Sequence, residues 1–264
     1  MHNIHFSQLS FLKRVIVTPD KHFPLADMSA IRVVCKAIEL VKPDTYVDLG
    51  DTGEWGSFSH WKWKKKKKPP LEYIQPDMDA EIKAVNEGMD IIDSSLEKAK
   101  CKDKHFLQGN HELWLDQFVD EHPYLPQYMT ENALNLKERG YKYHHNSKFL
   151  KLGKLYFHHG NFYGGQYHSA NHIRKLGCNI MYGHTHDVQM HSATMLGGQV
   201  SAISLGCLKD MSKQSNAWLG GREHNWSHAF AIVDFFDKGY FTTNVIQIIK
   251  GKAVVWGKLI DGNK

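Results

Sequence analysis

The sequence predicts an α/β domain of two packed sheets, and three observations carry that reading. Strands, turns and helices alternate over the first 110 residues. The texture turns strand-rich after about residue 147. Nearly every strand of the alternating part ends in a tight turn bearing polar side chains. Val15-Ile16-Val17 is a short β-branched run stopped by Pro19-Asp20. From Met28 to Val41, apolar residues at Ile31, Val34, Cys35, Ile38 and Val41 recur at helical spacing, and Pro43-Asp44 ends that helix. Tyr46 to Leu49 is a second strand, closed by Gly50-Asp51. Met78, Ile82, Val85, Met89, Ile92 and Leu96 form the clearest amphipathic stripe. Asp77, Asp79 and Glu81 set negative charge where a helix N-terminus favours it. His105 to Leu107 is the third strand, stopping at Gly109-Asn110. Such an order gathers its loops at the carboxyl ends of the strands.

Further along, a hairpin turns at Gly153 between Lys148–Leu152 and Lys154–His158. A helix follows around Ser169–Leu176, then a strand at Asn179–Tyr182. Strands are expected at Val188–Ala193, Val200–Ser204, Phe230–Phe235, Phe241–Ile248 and Ala253–Leu259. The expectation is one layered domain over residues 1–264, with the strand-rich part at 188–264 completing the second sheet.

Composition excludes several classes. At 264 residues, 42% hydrophobic and 23% charged, the chain is too apolar for disorder and long enough for a sizeable core. No apolar run approaches the roughly 18–20 residues of a membrane span. The opening MHNIHFSQLSFLKR lacks the pattern of a signal peptide. Cys35, Cys101, Cys178 and Cys207 are far apart with no CxxC pair, which speaks against a disulfide scaffold or a thiolate zinc site. A cytoplasmic protein with no membrane association and no obligate protein partner is expected. The net charge of +5 decides nothing, since Lys64 to Lys68 alone would supply it.

The strand ends carry the chemistry. Asp20 and His22 follow the first strand, Asp51 the second, and Asn110 and His111 the third. His159 follows a hairpin strand, and His184 and His186 follow another. Oxygen and imidazole donors without thiolate suit a pair of divalent transition ions such as Mn, Fe, Zn or Ni. Each piece alone reads more simply as a turn; five in order, each at a strand end, do not.

Asp20-Lys21-His22, Gly50-Asp51, Gly109-Asn110-His111-Glu112, His159-Gly160 and Gly183-His184-Thr185-His186 resemble, in order, the five motifs of the calcineurin-like metallophosphoesterases. The match runs from about residue 14 to 190. Gly206-Cys207-Leu208 and Asn225-Trp226 are more loosely similar to the tail of phage and bacterial members, implying the cytoplasm of a bacterium or phage-infected host. The resemblance implies a four-layer αββα sandwich of two mixed sheets flanked by helices. It implies that Asp20, His22 and His186 hold one metal, that Asn110, His159 and His184 hold the other, and that Asp51 bridges them, with Mn favoured. Ions roughly 3.5–4 Å apart acidify a shared water for in-line attack and clamp the phosphoryl oxygens. His111 would serve as general acid or positive stabiliser, and Glu54 is the candidate carboxylate to orient it, against the plainer reading of an exposed loop glutamate.

Neighbouring histidines compete for these roles. Adjacent side chains of a strand face opposite ways, so only one of His158 and His159 can face the metals, and the motif favours His159. His168 and His172, four apart on a helix, read as a solvated pair, with a cleft-lining role as the alternative.

Departures from relatives bear on the substrate. Where protein phosphatases and dinucleoside-polyphosphate hydrolases have arginines that grip a terminal phosphate, this chain has Trp55 and Gln108. The loss argues for a phosphodiester, which carries one charge fewer. Trp61, Trp63, Lys64 and Lys65 interleave aromatic and cationic groups as candidate contacts to single-stranded DNA or RNA; the plainer reading is a solvated charged loop. A phosphodiesterase of nucleic acid or nucleotides is therefore expected. The alternatives are a phosphomonoesterase of small metabolites and a catalytically inactive scaffold.

Overall fold

Strand β1 (Phe11–Thr18) sets the layering. Val15, Ile16 and Val17 are all fully buried, yet Val15 and Val17 join one apolar cluster and Ile16 another, because successive side chains face opposite sides of a sheet. A strand covered on both faces is continuously apolar, which is what the sequence shows there.

The computed structural model describes residues 11–64 and 66–264. After β1 come α1 (Met28–Val41), β2 (Thr45–Asp48), α2 (Leu71–Lys98), β3 (Asp103–Leu107), α3 (Glu112–Glu121), the single turn α4 (Thr130–Ala133) and β4 (Tyr141–His144). Then follow β5 (Leu150–Leu152), β6 (Leu155–His158), α5 (His168–Leu176), β7 (Asn179–Tyr182), β8 (Val188–Met195) and β9 (Gly198–Leu205). The chain ends with β10 (Ala229–Phe236), β11 (Tyr240–Gln247), β12 (Lys252–Val255) and β13 (Lys258–Asp261). One sheet has the order β11-β10-β1-β2-β3-β4 and the other β5-β6-β7-β9-β8. β1 to β4 run parallel in the first, as do β6, β7 and β9 in the second; antiparallel strands close both edges of the second sheet and the β11 edge of the first.

Leu155, Phe157, Met181 and Ile203 of the second sheet meet Val15, Val17, Val47 and Val233 of the first in the central layer. On the outer face of the first sheet, Ile31 and Ile38 of α1 and Met78, Met89 and Ile92 of α2 pack over Ile16, Tyr46 and Phe106. Ile173 of α5 covers Ile180, Tyr182 and Val200 on the far side. These are four layers, αββα, the arrangement that the sequence resemblance implies. Asp27 caps α1 by accepting the N–H groups of Ser29 and Ala30, a contact worth about 1 kcal/mol. Among the described residues no helix is long and apolar enough to cross a membrane.

The strand-rich segment departs from expectation. Only β8 and β9 complete the second sheet; β10 and β11 extend the first. Phe230 and Ile232 of β10 face the helices while Ala231 and Val233 face the other sheet, so β10 is apolar on both faces and fits beside β1. The single strand expected over 253–259 is instead the hairpin β12–β13. It turns at Trp256 (φ 50°) and Gly257 (φ 75°), the two positive φ values that a two-residue hairpin loop demands. Helix α2 begins two turns before the expected start, directly after Pro69-Pro70, and holds Pro76 in its second turn.

Asp103 ties the base of the parallel strands. Its carboxylate accepts from Lys13 of β1 (2.6 Å), Thr45 of β2 (2.7 Å) and Lys142 of β4 (2.7 Å). Burial would raise this carboxyl, but those bonds outweigh it and hold it far below the usual carboxylate range. A depressed folded-state value adds stability above the unfolded value of about 3.9, and that stability is lost as pH falls. Asp103→Asn should therefore lower Tm at pH 7 and flatten the acid fall of Tm between pH 5 and 3. An unchanged acid slope would contradict the assignment.

Candidate metal centre

Five loops at carboxyl ends of strands converge over the shared edge of the two sheets. Asp20 and His22 follow β1, Asp51 follows β2, and Asn110 and His111 follow β3. From the second sheet, His159 follows β6, and His184 and His186 follow β7. Four of these residues hold a left-handed backbone: His22 (φ 54°), Asp51 (φ 47°), His184 (φ 68°) and His186 (φ 62°). Such strain costs on the order of 1–3 kcal/mol per residue, so the surroundings must over-determine it. They do. Lys21 N and His22 N both donate to Asp51 O at 3.0 Å, and the Asp20 carboxylate accepts His184 N at 2.9 Å. Two glycines permit the approach: a Cβ on Gly109 would overlap Asp51 Oδ1, and one on Gly183 would overlap Asp20 Oδ2.

The side chains form two clusters, and Asp51 of the second reaches toward the first, its Oδ2 3.9 Å from His22 Nε2. In the first, His22 Nε2 lies 3.1 Å from His186 Nε2, which lies 3.5 Å from Asp20 Oδ1. In the second, His159 Nδ1 donates to Leu49 O at 2.9 Å. Its Nε2 therefore faces Asn110 Oδ1 at 2.9 Å and Asp51 Oδ2 at 3.3 Å. The ligand atoms of Asp20, His22 and His186 lie within 4.8 Å of one another, as do those of Asp51, His159 and His184. His22, Asp51 and His111 make a third such group across the middle.

Electrostatics favours cations here. Burial would raise the Asp20 carboxyl, but the His186 hydrogen bond and the histidine charges hold it down at about 2. Asp51, likewise buried, is held well below the carboxylate range by His159 and His111. Burial pushes His22 and His184 down to about 4, so both present lone pairs at neutral pH. His159 is pushed up to about 9 because Asp51 outweighs its burial. Ionised Asp20 and Asp51 and the bare imidazoles of His22 and His184 are donors that fit divalent ions, while His159 would have to give up its Nε2 proton to join them.

Beneath the centre lie residues that sequence reasoning passed over. Glu112 is fully buried, and its carboxylate accepts from Asp51 N (2.7 Å), Thr52 N (2.8 Å), Gly53 N (3.2 Å), Gly109 N (3.0 Å) and Trp55 Nε1 (3.1 Å). Burial and the charge of Asp51 raise its carboxyl to about 6 despite those bonds. Lys21, also fully buried, pairs with Asp48 at 2.8 Å, and Asp48 accepts Gly50 N and Thr52 Oγ1 as well. The available signal was charge at positions where burial is certain: Asp48 ends a buried strand, and Lys21 stands between two ligands.

His111 corrects one expectation. Its Nδ1 donates to the backbone oxygen of Glu54 at 2.6 Å, leaving Nε2 toward the cleft and 3.9 Å from Asp51 Oδ2. The Glu54 carboxylate turns the other way, 2.7 Å from Lys209 Nζ and 2.9 Å from His22 Nδ1, the latter contact poorly aligned for a hydrogen bond. Lys209 and His22 attract it more than a histidine already satisfied by a carbonyl; they hold its carboxyl, which burial would raise, down at about 2. His158 points away from the centre, bonded to Asn146 O and Gly160 N. His168 and His172 are neither solvated nor in the cleft. Both are buried, His168 between Tyr182 and Asp187, and His172 stacked on Tyr182 at 4.0 Å.

A cleft of about 720 Å³ opens over the clusters. Trp61 lines it, whereas Trp63 is half-buried against the helix-side core and opens, with Lys64, onto a neighbouring hollow. Lys65 lies outside the described residues.

No family model matches the sequence. The chain is similar to the Gene 54 protein of Mycobacterium phage L5, 24% identical over 94% of this chain and 98% of that protein. The Gene 54 protein of Mycobacterium phage D29 is 23% identical over 93% and 97%. Among solved structures it is similar to Vps29 from Entamoeba histolytica (13% identity, 94% of this chain and 98% of that one, TM-score 0.46). It is also similar to a dimetal phosphatase from Danio rerio (11%, 89% and 99%, TM-score 0.44) and to the E. coli phosphoesterase YfcE (14%, 88% and 98%, TM-score 0.41).

Replacing Glu112 by Gln keeps the volume but turns a donor toward two of the N–H groups it now accepts. An unmet buried donor costs about 1–3 kcal/mol. Glu112→Gln should lower Tm by about 4 °C or more and weaken metal uptake. A variant with wild-type Tm and uptake would show that the carboxylate does not hold the loops.

Proposed function

We propose that the protein is a calcineurin-like, dinuclear-metal phosphoesterase that hydrolyses phosphodiesters of nucleic acid or nucleotides. The observation that carries this reading is the pair of candidate ligand clusters at the base of one cleft, with Asp51 of one lying 3.9 Å from His22 of the other. Asp20, His22 and His186 would hold one ion, Asn110, His159 and His184 the other, and Asp51 both. The ions would supply an acidified water and a clamp on the phosphoryl oxygens.

The remaining steps belong to the chain. Glu54 O fixes the His111 ring through Nδ1, so Nε2 is the nitrogen presented to the cleft. There it can give a proton to the departing oxygen or balance its charge. Three features support a diester over a monoester. Trp55, at one position of the relatives' arginines, is fully buried and bonded to Glu112. Gln108, at the other, is buried and bonded to Asp116 and Asn146. Among the described residues lining the cleft, Lys209 is the only lysine or arginine, and Glu54 already pairs it. No guanidinium fork awaits a second phosphate charge. Lys64 Nζ sits 4.4 Å over one face of the Trp61 ring, placing a cation next to an indole that lines the cleft.

With Mn²⁺, Ni²⁺, Zn²⁺ or Mg²⁺ restored to stripped protein, bis-p-nitrophenyl phosphate should be cleaved in preference to p-nitrophenyl phosphate. Asp51→Asn should abolish both loading and turnover. Preference for the monoester would overturn the diester reading; a fully loaded, active Asp51→Asn would overturn the ligand assignment. Serine at Lys64, Lys66, Lys67 and Lys68 should weaken single-strand binding and reduce its salt slope by about 0.7 for each phosphate that the lysines no longer neutralise. An unchanged slope would return the run to a solvated loop.

A further inference from the structure

Tryptophan stands at both ends of the cleft floor. Trp114 packs on His111 with ring centres 4.1 Å apart, His111 on His22 at 4.7 Å, His22 on His186 at 5.0 Å, and His186 on Trp226 at 4.5 Å. Two of the candidate metal residues, His22 and His186, thus lie with His111 in a row of rings that runs between two indoles. Each end has a second indole lining the same cleft: Trp61, linked to Trp114 through the His60 ring at 4.9 and 6.5 Å, and Trp218, 6.2 Å from Trp226. Trp61 is 58% exposed and Trp218 64%. Large aromatic faces left open in a cleft mark a surface for a ligand. The described lining carries no unpaired lysine or arginine, so recognition on both walls has to come from stacking.

We infer that the cleft takes an unpaired dinucleotide step, with its phosphate over the metal residues and its two bases splayed outward. One base stacks on the Trp61–Trp114 wall and the other on the Trp218–Trp226 wall. This inference deepens the phosphodiesterase reading and rests on it. The ligand chemistry follows from the site: an anionic centre with a planar apolar group on each side is two nucleosides joined by a phosphodiester. Stacking on indole is indifferent to sequence, because every base has a π-face. A duplex is refused, since its bases are spent on one another. Trp61 also lines the hollow of about 410 Å³ that holds Lys64 and the Lys68–Glu121 pair, so a longer strand leaving on that side meets Lys64.

The test uses the full-length protein and three readouts. The first is bis-p-nitrophenyl phosphate turnover, which reads the diesterase alone. The second is KM and kcat for thymidylyl-thymidine and for analogues abasic on the 5′ side, the 3′ side or both. Each missing base should raise KM about tenfold, with a smaller change in kcat. In Trp114→Leu the penalty for one particular base should vanish, and in Trp218→Leu the penalty for the other, a pairing that general loosening of the cleft cannot produce. The third is quenching of tryptophan fluorescence by oligothymidylate or oligouridylate, which needs no turnover and should exceed quenching by the matched duplex. Diester turnover with equal KM across the abasic series overturns the two-walled site and leaves the phosphodiesterase reading standing. Strand-selective quenching without diester turnover overturns that reading and keeps the walls as a binding site. Equal quenching by single strand and duplex contradicts the preference for unpaired bases.

Discussion

The Glu112 carboxylate, buried to zero exposure, is the point on which the centre hangs. Its two oxygens take N–H groups from the loop after β2, from the turn after β3 and from the Trp55 indole. Left without partners a buried carboxylate would be prohibitive, and left without it the five donors would be stranded. Each loop therefore has one arrangement that satisfies the other, and that arrangement sets Asp51 against Asn110 and His111. Gly109 lets the two backbones meet, because any side chain there would occupy the space of the Asp51 carboxylate.

The two sheets supply what one could not. A single parallel sheet offers neighbouring loops along one edge; stacking a second brings His159, His184 and His186 over them from across the central apolar layer. The cost is concentrated in four left-handed residues and in carboxylates and imidazoles pressed together. In a protein of ordinary marginal stability, strain of that kind persists where something gains from it. Here the gain is a set of lone pairs aimed at two points, a geometry that two cations would relieve.

Much of this was legible in the residues. Helix α1 starts and stops where its apolar spacing and Pro43-Asp44 say, and β7 coincides with Asn179–Tyr182. The residues that converge over the sheet edges were readable because each sits at a strand end beside a turn. What escaped were facts of the third dimension. An apolar run such as β10 says that both faces are covered but not in which sheet, and its pairing with β1 decided it. Glu54 was read by its distance along the chain from Asp51, yet side-chain charge followed Lys209, which is 155 residues away. Glu112 stood in plain view within a motif, but nothing local tells a buried acceptor from a solvated acid. Trp114 and Trp218 carry no pattern in sequence, Trp226 stood out only within a loose tail similarity, and all three are seen as cleft lining only in the structure.

Everything proposed for the cleft requires two cations sharing Asp51. Metal content per chain, measured by inductively coupled plasma mass spectrometry after Mn²⁺ reconstitution and gel filtration, reads that requirement without any substrate. Two ions per chain are expected in the native protein. Zero or one ion, in protein that is folded and monodisperse, would contradict the shared centre.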